Sequence, residues 1–199
     1  IVENFHELQE IKCPKTRRYF LSPDHFNGFD YIYLGDIDIM IFNQFQQKNF
    51  YDFYLNKCRE TKLPFSNSWY FDTRIWRSRM SGLHFIIKDP YFDKIRNTLD
   101  PAKSYCSDKN YSFDEQLLFL MLNNNFDLSK ISASNYKRPL HGFHFGPFRT
   151  SSPSLVRSNE FYQQMRIFMQ SNIFKNLKMC PELKDIVART RLEIIGKPF

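Results

Sequence analysis

The stretch Phe29-Asp30-Tyr31-Ile32-Tyr33-Leu34-Gly35-Asp36-Ile37-Asp38-Ile39-Met40-Ile41-Phe42 decides how this chain is read. Tyr31 to Leu34 is apolar and rich in residues that favour an extended, half-buried backbone, which predicts a strand. Two carboxylates follow Gly35 at i and i+2, and a second apolar run begins at once. Ionised carboxylates are costly inside a strand without partners. The strand is therefore expected to end at Gly35, with Asp36 and Asp38 emerging at its tip. Side chains two apart share one face of an extended segment, so both can approach one cation. Hard oxygen ligands of this kind suit Mn²⁺ or Mg²⁺ carrying phosphate oxygens.

The chain around that stretch has 199 residues, enough for a sizeable α/β core. Lys and Arg outnumber Asp and Glu by 28 to 21, and the excess lies after residue 50. A basic balance suits an anionic partner such as a nucleoside diphosphate. No run of five like charges occurs, so a nucleic-acid-binding tail is not indicated. No apolar run reaches 18 residues, so no transmembrane segment is expected. The four cysteines, Cys13, Cys58, Cys106 and Cys180, form no C-x-x-C pair, which argues against a zinc ribbon. Free thiols and a reducing, cytoplasmic compartment are expected, with a membrane-peripheral location left open. The chain opens without Met on a polar stretch, which reads as a fragment of a longer protein.

Periodicity predicts a short helix over 2–12, a helix or strand over 17–21, and a helix over 45–59. Strands are expected at 69–76 and 83–87. Asp89-Pro90 reads as an N-cap and first position of the next helix. Residues 100–112 read as a loop. Ser112 and Glu115 have capping-box spacing before a helix over 113–123. A weak strand over 126–131, a loop over 137–153 and a long amphipathic helix over 158–178 complete the reading, with 155–199 as a C-terminal helical segment. Strands alternating with helices argue an α/β fold in one domain, 1–199.

Further chemistry gathers in three places. Leu140-His141-Gly142-Phe143-His144-Phe145-Gly146-Pro147-Phe148-Arg149 offers two imidazoles that can complete a metal site, glycines for close approach, and an arginine for a phosphate. Asp114 and Glu115 open an apolar helix, where carboxylates also stabilise the helix dipole. Arg74, Arg77 and Arg79 precede Ser81-Gly82 and read as a solvated edge or a diphosphate contact. His84 lies in an apolar run and reads as a satisfied core histidine.

Taken in order, these pieces resemble the glycosyltransferases of the GT-A fold, family 8 and its relatives. Tyr33-Leu34-Gly35-Asp36-Ile37-Asp38 resembles their Asp-x-Asp strand end. Arg18-Tyr19-Phe20-Leu21 is similar to the segment before it. Ser81-Gly82-Leu83-His84-Phe85 resembles their Asn-Ser-Gly strand, Asp114-Glu115-Gln116 their Asp-Gln helix start, and His144 to Arg149 their late His-Gly-Lys motif with Arg in place of Lys. The resemblance spans roughly residues 18–149. It implies a GT-A-like, Rossmann-related mixed central β-sheet flanked by helices. It also implies a metal-dependent transferase that moves a sugar from a nucleoside-diphosphate donor, with UDP favoured, to a glycan or other hydroxyl acceptor, leaning towards retention of configuration. The expected metal ligands are Asp36, Asp38 and His144 or His141. Gly35, Asp36, Ser81, Gly82, Gly146 and Arg149 are expected at the donor, and Asp114 and Glu115 at the reacting carbon. A sugar-phosphate nucleotidyltransferase and a non-catalytic carbohydrate- or nucleic-acid-binding module are the alternatives.

Overall fold

The computed structural model describes residues 8–36, 39–41, 44–45, 48–73, 76–106, 114–131, 142–144 and 166–177. The chain divides into two compact units, Ile1–Asp36 with Tyr51–Lys137, and Ile37–Phe50 with Arg138–Phe199. The fold is mixed α/β.

The first unit begins with α1 (Pro14–Arg17) and a 3₁₀ turn, Pro23–Phe26. Strand β1 (Tyr31–Leu34) follows as expected. After the second unit's β2 (Ile39–Ile41), β3 (Gln44–Phe45) and β4 (Lys48–Asn49), helix α2 spans Phe50–Thr61. Then come β5 (Phe65–Ser66), β6 (Trp69–Asp72), β7 (Arg77–Met80) and β8 (His84–Ile87). Helices α3 (Lys88–Cys106) and α4 (Asp114–Asn123) complete its regular elements. The second unit also holds β9 (Gly142–His144), a helical stretch over 166–170, and α5 (Asn172–Leu177).

A three-stranded sheet of order β1-β8-β5 forms the centre of the first unit. Tyr31 pairs with Ile87 and Leu34 with His84, antiparallel. The mixed α/β content holds, but all pairings among the described residues are antiparallel, so the expected mixed central sheet is not among them. Strand alternation divides the side chains between two faces. Ile32 and Ile86 enter a core with Phe65, Met80, Tyr91, Ile95, Leu117, Leu118 and Leu122. Tyr31, Tyr33 and Phe85 meet Tyr51 and Tyr54 of α2 on the other face, with Tyr54 stacked on Phe85 at 5.4 Å. Each buried aliphatic or aromatic side chain contributes about 1.5–3 kcal/mol, so these two layers hold the sheet that carries Asp36.

Several expectations give way to local chemistry. Residues 8–12 form no α-helix, although Leu8 and Ile11 are buried; residues 1–7 lie outside the described set. The helix expected from 45 starts at Phe50, because Gln44–Phe45 and Lys48–Asn49 pair as strands. The strand expected over 69–76 ends at Asp72, and a second strand, β7, pairs back on it. Helix α3 begins at Lys88, directly off β8, so Asp89 lies inside it rather than capping it. It also runs through Pro101 to Cys106, where a loop was expected. An interior proline costs a helix about 3 kcal/mol. Burial of Cys106 and packing of Ala102 on the core oppose that cost. The expected strand over 126–131 is a 3₁₀ turn, Leu128–Lys130, since Asp127 accepts hydrogen bonds from Ser129 N (3.1 Å) and Ser129 Oγ (2.5 Å). The helix expected over 158–178 is interrupted at Ser171, whose Oγ donates to Phe168 O (2.6 Å) and accepts from Phe174 N (3.2 Å). Ser112 and residues 181 onward lie outside the described set.

Candidate functional site

Strand β1 ends at Leu34 and hands the chain to Gly35 and Asp36, as the reading of that stretch requires. Asp36 does not stand alone. Arg18, one residue beyond α1, donates from Nη1 to Gly35 O (3.2 Å) and to Asp36 Oδ1 (2.7 Å). Its Nη2 reaches Asp114 Oδ2 at 3.4 Å. One guanidinium thus joins a strand end to the first turn of α4, which lies 96 residues beyond the arginine. Gly82 lies against the same group. A Cβ built there would stand 2.8 Å from Arg18 Nη2 and 3.5 Å from Asp36 Oδ2. Only a residue without a side chain leaves the guanidinium where it is.

Four of the expected donor and reaction residues, Gly35, Asp36, Gly82 and Asp114, therefore meet around Arg18. Ser81 is adjacent but inward: its Oγ accepts from Leu83 N (3.1 Å), which shapes the bend that presents Gly82. The Arg18 and Asp114 side chains are 17% and 10% exposed, while that of Asp36 is 37% exposed. Asp36 Oδ2 accepts no hydrogen bond from the described residues. The cluster is closed below and open at Asp36.

Glu115 faces elsewhere. Its Oε2 meets Arg79 Nη2 at 2.7 Å and accepts from Tyr70 Oη at 2.9 Å. Arg79 Nη1 also donates to the buried Asp72 at 3.0 Å. Among the described residues the Glu115 side chain is engaged by β6 and β7, while Ser112, its expected capping-box partner, lies outside the described set. Burial pushes the Glu115 carboxyl above its usual range, opposed by Arg79 and by the Tyr70 hydrogen bond. Arg79 is likewise neither a solvated edge nor open to a diphosphate, because two carboxylates occupy it. Arg77 donates to Gln116 Oε1 (2.9 Å), and Arg74 lies outside the described residues.

His84 is fully buried, with Nδ1 3.0 Å from Asn67 Nδ2 and Nε2 3.1 Å from Tyr91 Oη. It is the satisfied core histidine expected. Burial, then the charge of Arg18, lower its pKa to about 3. Cys13, Cys58 and Cys106 are buried thiols, and burial pushes Cys58 up to about 12.

In the second unit, β2 pairs antiparallel with β9, and Ile39 stands opposite His144. The residue that follows Asp38 in the chain is thus paired with the histidine proposed to share its metal. Asp38, His141, Gly146 and Arg149 lie outside the described residues. Among the described residues, no group of three or more His, Cys, Asp and Glu side chains is arranged to hold a metal ion. No described helix is long and apolar enough to cross a membrane.

Sequence reasoning missed Arg18, Asp72 and Tyr70 as parts of the site. The available signal was electrostatic: carboxylates at a strand end and a helix start demand counter-charges from buried segments. Arg18, directly before the apolar Tyr19-Phe20-Leu21, answers that demand. Comparison with protein-family models, with curated proteins and with solved structures finds no match to this chain.

Proposed function

We propose that this chain is a metal-dependent glycosyltransferase that moves a sugar from a nucleoside-diphosphate donor, UDP favoured, to a hydroxyl acceptor. The observation that carries the reading is the meeting of Gly35, Asp36, Gly82 and Asp114 on one guanidinium. These residues come from three motifs far apart in sequence, with Gly35, Asp36 and Gly82 expected at the donor and Asp114 at the reacting carbon. The β2–β9 register adds support, since it sets His144 opposite Ile39.

The donor chemistry of the described residues fits a hard divalent cation. Asp36 is a partly exposed carboxylate at a strand end, and its Oδ2 accepts no hydrogen bond from the described residues. Among the described residues of the two neighbouring clusters, four carboxylates face two guanidiniums, Arg18 and Arg79. Asp36, Asp38 and His144 (or His141) are the proposed ligands of Mn²⁺ or Mg²⁺. A bound divalent ion would neutralise charge on the departing diphosphate.

The chain's own residues have distinct tasks in this reading. Arg18 holds Asp36 and Asp114 in fixed relation, which lowers the reorganisation needed when a sugar arrives. Gly82 keeps the guanidinium uncrowded. Asp114, at the positive end of α4, lies beside the sugar as base or charge stabiliser. Arg149 is proposed to pair with phosphate oxygens.

The test is release of UDP from a panel of UDP-hexoses with Mn²⁺ and simple glycan acceptors. Wild-type protein is expected to turn over. Asp38→Ala and Asp114→Asn are expected to lose about a hundredfold or more while remaining folded. Unchanged turnover in either variant removes that residue from the mechanism. Formation of pyrophosphate from UTP and a sugar phosphate, with no UDP release, would assign a nucleotidyltransferase instead.

A further inference from the structure

Two acidic residues open α4, and the family resemblance implies both at the reacting carbon. Their surroundings separate them. Asp114 shares Arg18 with the partly exposed Asp36. Glu115 is only 15% exposed and engaged by Arg79 and Tyr70, and Arg79 is in turn anchored by Asp72, 3% exposed. Tyr70 and Asp72 lie on β6, Arg79 on β7, Glu115 on α4, and Tyr70 pairs with Arg79 in the β6–β7 register. The guanidinium of Arg79 also lies near the Tyr70 ring, 5.8 Å from its centroid. This is a clasp between a hairpin and a helix start, built of buried charges.

We propose that Arg79 is a positioning residue that clamps Glu115, so that Glu115 orients the first turn of α4 while Asp114 alone serves the reacting centre. The inference rests on the glycosyltransferase reading for the role of Asp114, but the clasp itself does not. A carboxylate held by a charged hydrogen bond at 2.7 Å and a phenol at 2.9 Å must break both to act as a base or nucleophile. Charge-assisted bonds of that length in a poorly solvated place are strong. Asp114, held at 3.4 Å by an arginine that it shares, has the looser partner.

Among the described residues, the charged and titratable groups around Glu115 are Arg79 on β7, Tyr70 and Asp72 on β6, Asp114 on its own helix, Asp36 beyond β1, and Tyr19. Arg79 is the cation that opposes burial there. Without it, Glu115 faces Asp114 and Asp36 in a buried position and takes up a proton at higher pH.

Two measurements on the intact chain decide the matter. The first follows the Glu115 side-chain carboxyl by ¹³C NMR as pH is varied, and it needs no substrate. Arg79→Met is expected to raise the titration midpoint by about one pH unit or more, and Arg79→Lys to restore most of it. The second compares UDP release by Glu115→Gln and Asp114→Asn. Glu115→Gln, which keeps the shape and the Tyr70 contact, is expected to stay within about tenfold of wild-type kcat, with Asp114→Asn at least about a hundredfold down. An unmoved midpoint in Arg79→Met overturns the clamp. Should Arg79→Met not fold, Tyr70→Phe serves in its place, with a smaller upward shift expected and no shift contradicting the clamp. A Glu115→Gln variant as dead as Asp114→Asn overturns the division of roles. Absence of any UDP release by wild-type protein would defeat the parent reading and leave the NMR result standing on its own.

Discussion

Two arginines in this unit are each gripped by a pair of carboxylates, and the pairs differ in closure. Arg79 is held at 3.0 Å by Asp72 and at 2.7 Å by Glu115, with a phenol on the same oxygen as the shorter contact. Arg18 is held at 2.7 Å by Asp36 but only at 3.4 Å by Asp114, and Asp36 is one-third exposed. The same ingredients make a lock in one place and an open mouth in the other. The difference lies in what surrounds them. Hairpin strands β6 and β7 close over Arg79, whereas Arg18 is approached by a strand end, a glycine and a helix start. Buried ion pairs are weak evidence for stability by themselves, since desolvation offsets much of their attraction. An ion pair left open at one side is instead a place where a ligand can substitute for water.

The sharpest way to break this contrast is Gly82→Ala. Its Cβ would stand 2.8 Å from Arg18 Nη2, the far end of a long side chain that can give way. The protein is expected to fold, with a loss of about 1–2 kcal/mol from overpacking. Turnover is expected to fall about ten- to a hundredfold, because a displacement of under an ångström at a reacting site has effects of that order. The Arg79 clasp should be untouched, read as an unchanged Glu115 titration. Full activity in Gly82→Ala would mean that the Arg18 geometry does not matter to turnover.

A smaller effect comes from below the open cluster. His84 stays neutral in the folded chain down to about pH 3, through burial first and Arg18 second. The unfolded chain takes up that proton near pH 6.5. Between those values the unfolded state binds more protons, so stability declines as pH falls. The slope is at most about 1.4 kcal/mol per pH unit from this group. Denaturant unfolding of His84→Gln at pH 7, 5 and 4 should show a shallower decline than wild type. An identical slope would show that His84 is protonated within the fold, and with it a second positive charge beside Arg18.

Legibility in the sequence followed the range of the forces involved. Tyr31–Leu34 and His84–Ile87 were readable because their strand character is local: aromatic and β-branched residues bounded by glycine or by a helix start. The start of α4 was readable from acidic residues before an apolar run. The polar run after residue 100 misled because its local character was outweighed by packing at Ala102 and Cys106. Arg79 misled for the same reason, since only the β6–β7 pairing and α4 turn it from an exposed charge into a buried one. Arg18 went unassigned because its partners lie 18 and 96 residues away. Around Arg18, the carboxylates and glycines could be named from sequence, and the guanidinium that organises them could not.

Calorimetric titration of UDP into the intact protein, with Mn²⁺ and then with chelator, tests the central claim most directly. The account predicts binding at least about tenfold tighter with the metal, lost in Asp36→Asn and kept in Glu115→Gln, a gain of about 1.4 kcal/mol or more. Equal UDP affinity with and without Mn²⁺, or an Asp36→Asn variant that binds like wild type, would contradict it.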